Sequence, residues 1–562
     1  MGEALQLVEA ISLASRGESA AAWELATAMS AEASDDLTVT RALVAASFTR
    51  YLDGYFLDSI VLAERAIAVA GPSDSTEARL LAYSMRMFAS AGAPWAGEQP
   101  DADYFALTWS MRAELDCLDV EARMIAGHLL SEGALATGRL SEAMEVLVAL
   151  GDIRSERRPD DEQRVPFPPF LMVQTARVML FLGEMPEALP ISQAATAQSV
   201  ALGSDSNTAL CESFTALIHA HLDNRAAARA FIASCTRRVP EPVGLIETGT
   251  WIVCAYAWFA MGERSKAAEC VVIAGGTDEL DNLQVADRAL GYEILVADAL
   301  DRGDLDAAES WGKHSLSLAA HPAATVIVEQ LLARIDDARG QSSDAAERAG
   351  VSAARARLTG RYLDAARADM VRARALAASG LQDTAVQQLT GLAHDADRVG
   401  ILGIRRSAAR ELRLLGRRLA PSPGAGWSSL SERERQIAVL AAEGFSNQVI
   451  GATLFLSGRT VQSYMSRILA ALGISSRAAL PRHVAALHLG SPRDDLPALT
   501  PRQWEVATLV AEGLSNHELA ERLDISVKTA EKHIGEILQR WQVTSRTSIA
   551  NLVVAETMRS AG

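Results

Sequence analysis

The stretch "AEGLSNHELAERLDISVKTAEKHI" (Ala511–Ile534) has a looser copy upstream, "AEGFSNQVIGATLFLSGRTVQSYM" (Ala442–Met465). The copies stay in register without a gap from Leu430–Arg477 to Leu499–Arg546, with roughly a third of positions identical, so they read as one folding unit duplicated. Each copy carries helix-start chemistry. Ser431 and Thr500 stand where a helix begins, with Glu434 and Gln503 three residues on as capping-box partners, and Pro501 suits the first helical position. Gly444 and Gly513 close that helix. Ser446 and Ser515 start a second, shorter one, and after a turn around Phe455-Leu456 or Asp524-Ile525 a third begins at Ser457 or Ser526.

In the third helix a 3.6-residue period places Val461, Met465, Ile468, Leu469 and Leu472 on one face, and Ala530, Ile534, Ile537, Leu538 and Trp541 on the matching face of the second copy. The opposite face carries Arg459, Thr460, Gln462, Ser463, Ser466 and Arg467, matched by Lys528, Thr529, Glu531, Lys532, Gly535 and Glu536. A short helix, a tight turn and a helix with a hydrogen-bonding front form a helix-turn-helix, whose second member lies in the major groove of DNA.

At "LSERERQIAVLAAEGFSNQVIG", "LFLSGRTVQSYMSRILAALGISSR" and "LTPRQWEVATLVAEGLSNHELAERLDISVKTAEKHIGEIL" the chain resembles the DNA-binding domain of the LuxR family of transcriptional regulators. The resemblance covers about the last quarter of the chain. It implies that the helices beginning near Thr460 and Thr529 are recognition helices. It also implies that Arg459, Thr460, Gln462, Ser463, Ser466 and Arg467, then Lys528, Thr529, Glu531, Lys532 and Arg540, meet bases or phosphates. Gln462 suits adenine N6 and N7, Lys532 suits guanine or phosphate, and Arg459 and Lys528 would neutralise phosphate. Three departures set the copies apart. Family members commonly place a basic residue where Gln462 and Glu531 stand, Gly535 interrupts a recognition helix, and Val449 replaces the capping glutamate that the second copy has at Glu518.

Upstream, a glycine followed five positions later by a small residue recurs about every 40 residues. The phrases are "GESAAA" at Gly17, "GYFLDS" at Gly54, "GEQPDA" at Gly97, "GRLSEA" at Gly138, "GEMPEA" at Gly183, a degenerate "DNRAAA" at Asp223, then "GERSKA" at Gly262, "GDLDAA" at Gly303, "GQSSDA" at Gly340 and "GLQDTA" at Gly380. Glycine ends a helix in left-handed geometry and alanine lets the next helix approach closely, so each phrase marks a helical hairpin. Amphipathic hairpins must stack to bury their apolar faces. The array resembles tetratricopeptide-type repeats, with a period longer than their ~34 residues. The expected fold class is all-α: a tetratricopeptide-like solenoid followed by two LuxR-type helix-turn-helix domains. The boundaries read as repeats over 1–420, linker 421–429 ("PSPGAGWSS"), first domain 430–490, linker 491–498 ("SPRDDLPA") and second domain 499–562.

Charge agrees with a C-terminal site for nucleic acid. The chain has 53 Lys and Arg against 70 Asp and Glu, a net charge of −17, and nearly all the excess acid lies before Leu402. Between the array and the first domain lies "IRRSAARELRLLGRR" (Ile404–Arg418), whose arginines alternate with Ile404, Ala408, Leu412 and Leu415 in the manner of a last repeat helix with a solvated basic face.

Other chemistry finds little support. Cys117, Cys211, Cys235, Cys254 and Cys270 show no C-x-x-C spacing and read as reduced, small hydrophobes. "HAH" at His219–His221 puts its imidazoles on different sides of a helix, and "WGKHS" at Trp311 lacks the upstream glycine of a phosphate-binding loop. No catalytic motif occurs, so no enzyme activity, cofactor or metal is expected. No signal-like start or ~20-residue apolar run appears, which predicts a cytoplasmic protein without a membrane partner. The expected partner is double-stranded DNA. The repeats leave room for a protein, peptide or small-molecule effector, and a homodimer stays open. The alternative is a helical-repeat interaction scaffold whose helix-turn-helix units no longer bind DNA.

Overall fold

The structure is a computed structural model that describes residues 3–90, 102–155, 167–417, 419, 427, 430, 432–454, 456–474, 476–481, 499–541, 543, 546, 549–550 and 552–553. The repeat phrase at Gly97, the N-cap at Ser431 and both expected linkers except Trp427 lie outside the described residues. All regular structure among the described residues is helical. The chain divides into two compact units, Met1–Arg418 and Leu419–Gly562.

The first unit is a tetratricopeptide-like solenoid of helix pairs. Its rule is plainest where four 17-residue helices follow one another: Pro322–Ala338, Ser342–Leu358, Tyr362–Ala378 and Gln382–Arg398. Between the first two, Gly340 takes φ +82°, its N–H donates to Asp337 O at 2.9 Å, and the next N–H donates to Asp336 O at 2.9 Å. This left-handed stop satisfies carbonyls that a helix end leaves unpaired. Asp223, where the repeat phrase has lost its glycine, still adopts φ +60°. The longer period has a simple origin: helices of about 17 residues with three-residue turns give a 40-residue pair. Glycines also end the second helix of a pair, at Gly203, Gly360 and Gly400.

The first helices of successive pairs form the inner layer. Asp36–Leu52 packs on Leu245–Ala260, Phe167–Leu182 on Tyr362–Ala378, and Asp205–His221 on Leu402–Leu414. Each contact joins one pair to another five pairs further along, so the stack winds tightly enough for consecutive superhelical turns to touch. Three inner helices are also tied by charge. Glu293, fully buried on Val285–Asp301, accepts from Gln330 Nε2 at 3.0 Å and Arg334 Nη2 at 3.2 Å, and pairs with Arg367. Arg367 in turn lies over the Phe259 ring, 5.3 Å from its centroid.

The helix Leu402–Leu414 differs from the solvated basic face expected of it. Arg405 pairs with Asp397 at 3.2 Å and Arg406 with Asp223, while Glu411 accepts from Arg374 at 2.7 Å. Two of its four arginines are thus neutralised from outside the helix, while Arg410 and Arg413 stay exposed.

Both histidines of the HAH stretch are buried, His219 stacking on Phe231 with centroids 5.7 Å apart. Burial, with the Arg367 guanidinium adding to it, pushes the His221 imidazole down from 6.5 to about 3. A histidine held neutral in the fold binds its proton only after unfolding, so its contribution to stability is lost as pH falls from 6.5 toward 3. Across that window the stability gap between the native chain and His221→Phe should shift against the native chain by about 1.4 kcal/mol per pH unit. Parallel denaturation curves at pH 7 and 5 measure it. Four of the five cysteines are buried, and the fold brings Cys235 Sγ within 3.3 Å of Cys254 Sγ, a proximity their spacing does not reveal.

The second unit contains two three-helix heads. Glu432–Ala442, Asn447–Leu454 and Gly458–Leu472 enclose Ile437, Ile450, Val461 and Ile468. Pro501–Ala511, Asn516–Leu523 and Val527–Arg540 enclose Val506, Leu519, Ile534 and Ile537.

Candidate nucleic-acid interface

The second head is built on reciprocal caps. Gln503 N donates to Thr500 Oγ1 at 3.2 Å while Thr500 N donates to Gln503 Oε1 at 3.2 Å. Ser515 and Glu518 repeat the device on the next helix, Ser515 N donating to Glu518 Oε2 at 2.7 Å and Glu518 N to Ser515 Oγ at 3.3 Å. Those Ser515 donors hold the Glu518 carboxyl below its ordinary range. In the first head Val449 occupies the place of Glu518, and only the half-cap remains, Val449 N to Ser446 Oγ at 3.4 Å.

The two turns into the recognition helices also differ. In the second head Asp524 supplies a left-handed residue, φ +51°. In the first, Leu456 N reaches Gly451 O at 2.7 Å, and a Cβ on Gly451 would lie 2.6 Å from Leu456 O. The second head carries alanine, Ala520, at the equivalent place, so glycine is required only by the tighter turn.

Both recognition helices start identically. Ser457 Oγ accepts from Thr460 N at 3.0 Å and Ser526 Oγ from Thr529 N at 3.1 Å, and in each head the two hydroxyls lie 2.7 Å apart. The threonines are therefore engaged in capping and half-buried. On the first front Arg459, Gln462 and Ser466 are exposed, with Ser466 Oγ donating to Gln462 O at 3.3 Å. The side chain of Ser463 lies outside the described residues. Arg467 is turned aside: its Nε is 3.7 Å from the buried Glu434 Oε1 and its guanidinium lies over Tyr464, 4.4 Å from the centroid. At the equivalent places of the second head Gln503 Nε2 donates to Glu536 Oε2 at 3.1 Å, so a hydrogen bond replaces the ion pair. On that front Lys528, Glu531, Lys532 and Arg540 are exposed. Glu531 Oε1 accepts from Asn516 Nδ2 at 3.4 Å, and Lys532 Nζ lies 3.8 Å from Glu536.

Gly535 sits on the exposed side of an unbroken helix, where an added Cβ meets no atom within 4 Å. Gly535→Ala should therefore stabilise the second head by about 1 kcal/mol, read as a raised melting temperature.

Sequence reasoning missed how much of the basic charge is architectural. Arg477 reaches back to Asn447 Oδ1 at 2.6 Å and to Phe445 O, and Arg546 binds Leu514 O at 2.5 Å and Asn516 Oδ1. Burial pushes both guanidiniums down from their ordinary range. Arg502 Nη2 donates to Leu523 O at 2.7 Å, closing the end of the second helix, and Arg433 does the same at Leu454. The signal was present in sequence as arginines identical in both copies. The heads also touch each other. Ser476 Oγ of the first donates to Gly513 O of the second at 2.8 Å, and a Cβ on Gly513 would come within 2.9 Å of Ala479 Cβ.

Three short helices with a capped third member and a polar front define each head as a helix-turn-helix module. Residues 428–484 and 497–553 each match the family described as "Bacterial regulatory proteins, luxR family", and these two segments are luxR-type domains. The chain is 28% identical over 344 residues to "Putative HTH-type transcriptional regulator Mb0914c" of Mycobacterium bovis, covering 56% of this chain and 38% of that protein. It thus spans about two fifths of the length of the first curated relatives it matches. Shorter matches include the transcriptional regulatory protein LiaR of Bacillus subtilis, 43% identical over 53 residues, 9% of this chain and 25% of LiaR. The nitrate/nitrite response regulator protein NarL of Escherichia coli is 38% identical over 56 residues, 10% of this chain and 26% of NarL.

Proposed function

We propose that this chain is a sequence-specific DNA-binding transcriptional regulator acting in the cytoplasm, with its helical repeats as the sensor or docking surface and its tandem heads reading adjacent major grooves. One observation carries the reading: both luxR-type heads retain a capped recognition helix with an exposed polar front, at Arg459, Gln462 and Ser466 and at Lys528, Glu531, Lys532 and Arg540. Thr460 and Thr529 start those helices, and Ser463 falls on the first front by helical period. Arg467 is assigned to phosphate only if it leaves Glu434 on binding. Neither head presents many free cations, so each alone binds weakly and the pair gains from effective concentration.

The test is selection of bound duplexes from random DNA by the full-length chain at low ionic strength. A preferred site is expected, with affinity falling steeply as salt rises. Absence of any preference, together with no effect of Gln462→Ala and Lys532→Ala, would refute this function. Glu531 and Glu536 on the second front favour the scaffold alternative, in which the heads serve only as packing units. That reading requires association insensitive to added duplex.

A further inference from the structure

Where the inner helices of the solenoid converge, they line a partly open hollow of about 200 Å³ within the first unit. Its walls come from residues as far apart in sequence as Ser15 and Arg361. Much of the surface is apolar and aromatic, with Phe48, Phe88, Phe181 and Phe214 among the lining residues. A cavity of ~150 Å³ on this scale accommodates benzene, so this one takes a molecule of one or two rings.

Several of the polar groups on its wall are paired with one another. Arg177 Nη2 donates to Glu132 Oε2 at 2.9 Å, Gln284 Nε2 to Tyr51 Oη at 2.8 Å, and Tyr256 Oη to Asp287 Oδ1 at 2.8 Å. Burial pushes the Asp287 carboxyl up, which favours its neutral form. Of the full charges on its wall, Arg177 and Glu132 cancel, and Arg361 is neutralised by Asp364 at 2.7 Å. His128 Nδ1 meets Gln174 Oε1 at 3.0 Å, and burial holds that imidazole neutral by pushing its pKa down. The Gln174 amide nitrogen is a different case. Gln174 is only 2% exposed and lines the cavity, yet its Nε2 has no acceptor among the described residues. A buried amide donor needs an acceptor oxygen or nitrogen in front of it.

We infer that this axial cavity is a binding site for an uncharged mono- or bicyclic organic molecule whose carbonyl, ether or hydroxyl oxygen accepts a hydrogen bond from Gln174 Nε2. Ring faces meet the phenylalanines, and the balanced polar rim offers neither net charge nor a free ionic partner. Convergence of a few polar groups on a mostly apolar hollow is the usual form of a small-molecule site. The inference deepens the sensing role proposed for the repeats and rests on it for its purpose.

The test titrates the full-length chain, without DNA, with 1-tetralone, with tetralin as the same shape lacking oxygen, and with 1-naphthylmethylammonium and 1-naphthoate as charged competitors, using calorimetry and thermal shift. Tetralone should bind roughly tenfold more tightly than tetralin, with both ions weaker still. In Gln174→Leu the tetralone preference should fall to within twofold while tetralin binding persists. Val253→Phe, which fills the hollow from a lining position, should abolish binding of both and serves also if Gln174→Leu fails to fold. The site is overturned if neither neutral probe binds up to its solubility limit, if an ion binds best, if Gln174→Leu keeps the preference, or if Val253→Phe binds as the native chain does. Because the readout contains no DNA, such failure leaves the DNA-reading proposal standing.

Discussion

Exchanging Lys528 and Lys532 together for glutamate is expected to weaken binding of the full-length chain to a duplex with two half-sites by roughly 10²–10⁴-fold. Both side chains are exposed on the second front, Lys532 by 75%, and both belong to a head that forms its caps and core independently of them. Loss of those contacts leaves only the first head on the DNA and removes the gain from effective concentration. The salt dependence should lose about two counterions with the two cations. On a duplex with a single half-site the same variant should bind within severalfold of the native chain. Equal losses on both duplexes, or none on either, would show that the heads do not work as a pair. Gly535→Ala serves as the control, because it changes the same front without altering charge.

The largest stability effect is expected inside the solenoid. Glu293→Ala removes the acceptor shared by Gln330, Arg334 and Arg367; Arg334, its side chain 14% exposed, loses its counter-charge, and Arg367, 15% exposed, keeps only Asp364 at 3.6 Å. Burial already pushes Arg334 down to about 10. Breaking such a group should cost about 3–5 kcal/mol, measured by denaturant unfolding and by faster hydrogen exchange in Val285–Asp301, Pro322–Ala338 and Tyr362–Ala378. Replacing all three charged partners with apolar residues, Glu293→Leu with Arg334→Met and Arg367→Met, should recover much of that loss. A cost under about 1 kcal/mol for Glu293→Ala would mean that the carboxylate does not tie the inner helices together.

Local chemistry was legible in the sequence; winding was not. The Ser-x-x-Thr starts at Ser457 and Ser526, the box at Ser515–Glu518 and its loss at Val449 are decided within four residues, and the structure forms them as the sequence implies. The same holds for the left-handed stops at Gly340 and Gly380. "GRYLDA" at Gly360 carries the repeat phrase too, but it falls halfway between the 40-residue marks because it separates two pairs instead of splitting one.

What escaped depends on elements distant along the chain. Arg467 falls on the polar front by period, yet the packing of the first helix on the third sets it beside Glu434. Tyr51 meets Gln284 only because the superhelix returns on itself, and the same return brings Gln174, Phe48 and Asp287 around one hollow. Nothing in the spacing of those residues encodes the closure.

The contact of Ser476 with Gly513 seats the end of the first head on the turn that closes Pro501–Ala511 of the second. Two heads seated on each other in this way would meet a duplex as one body with a fixed stride, so inserting a few base pairs between the halves of its site should be as damaging as erasing one half.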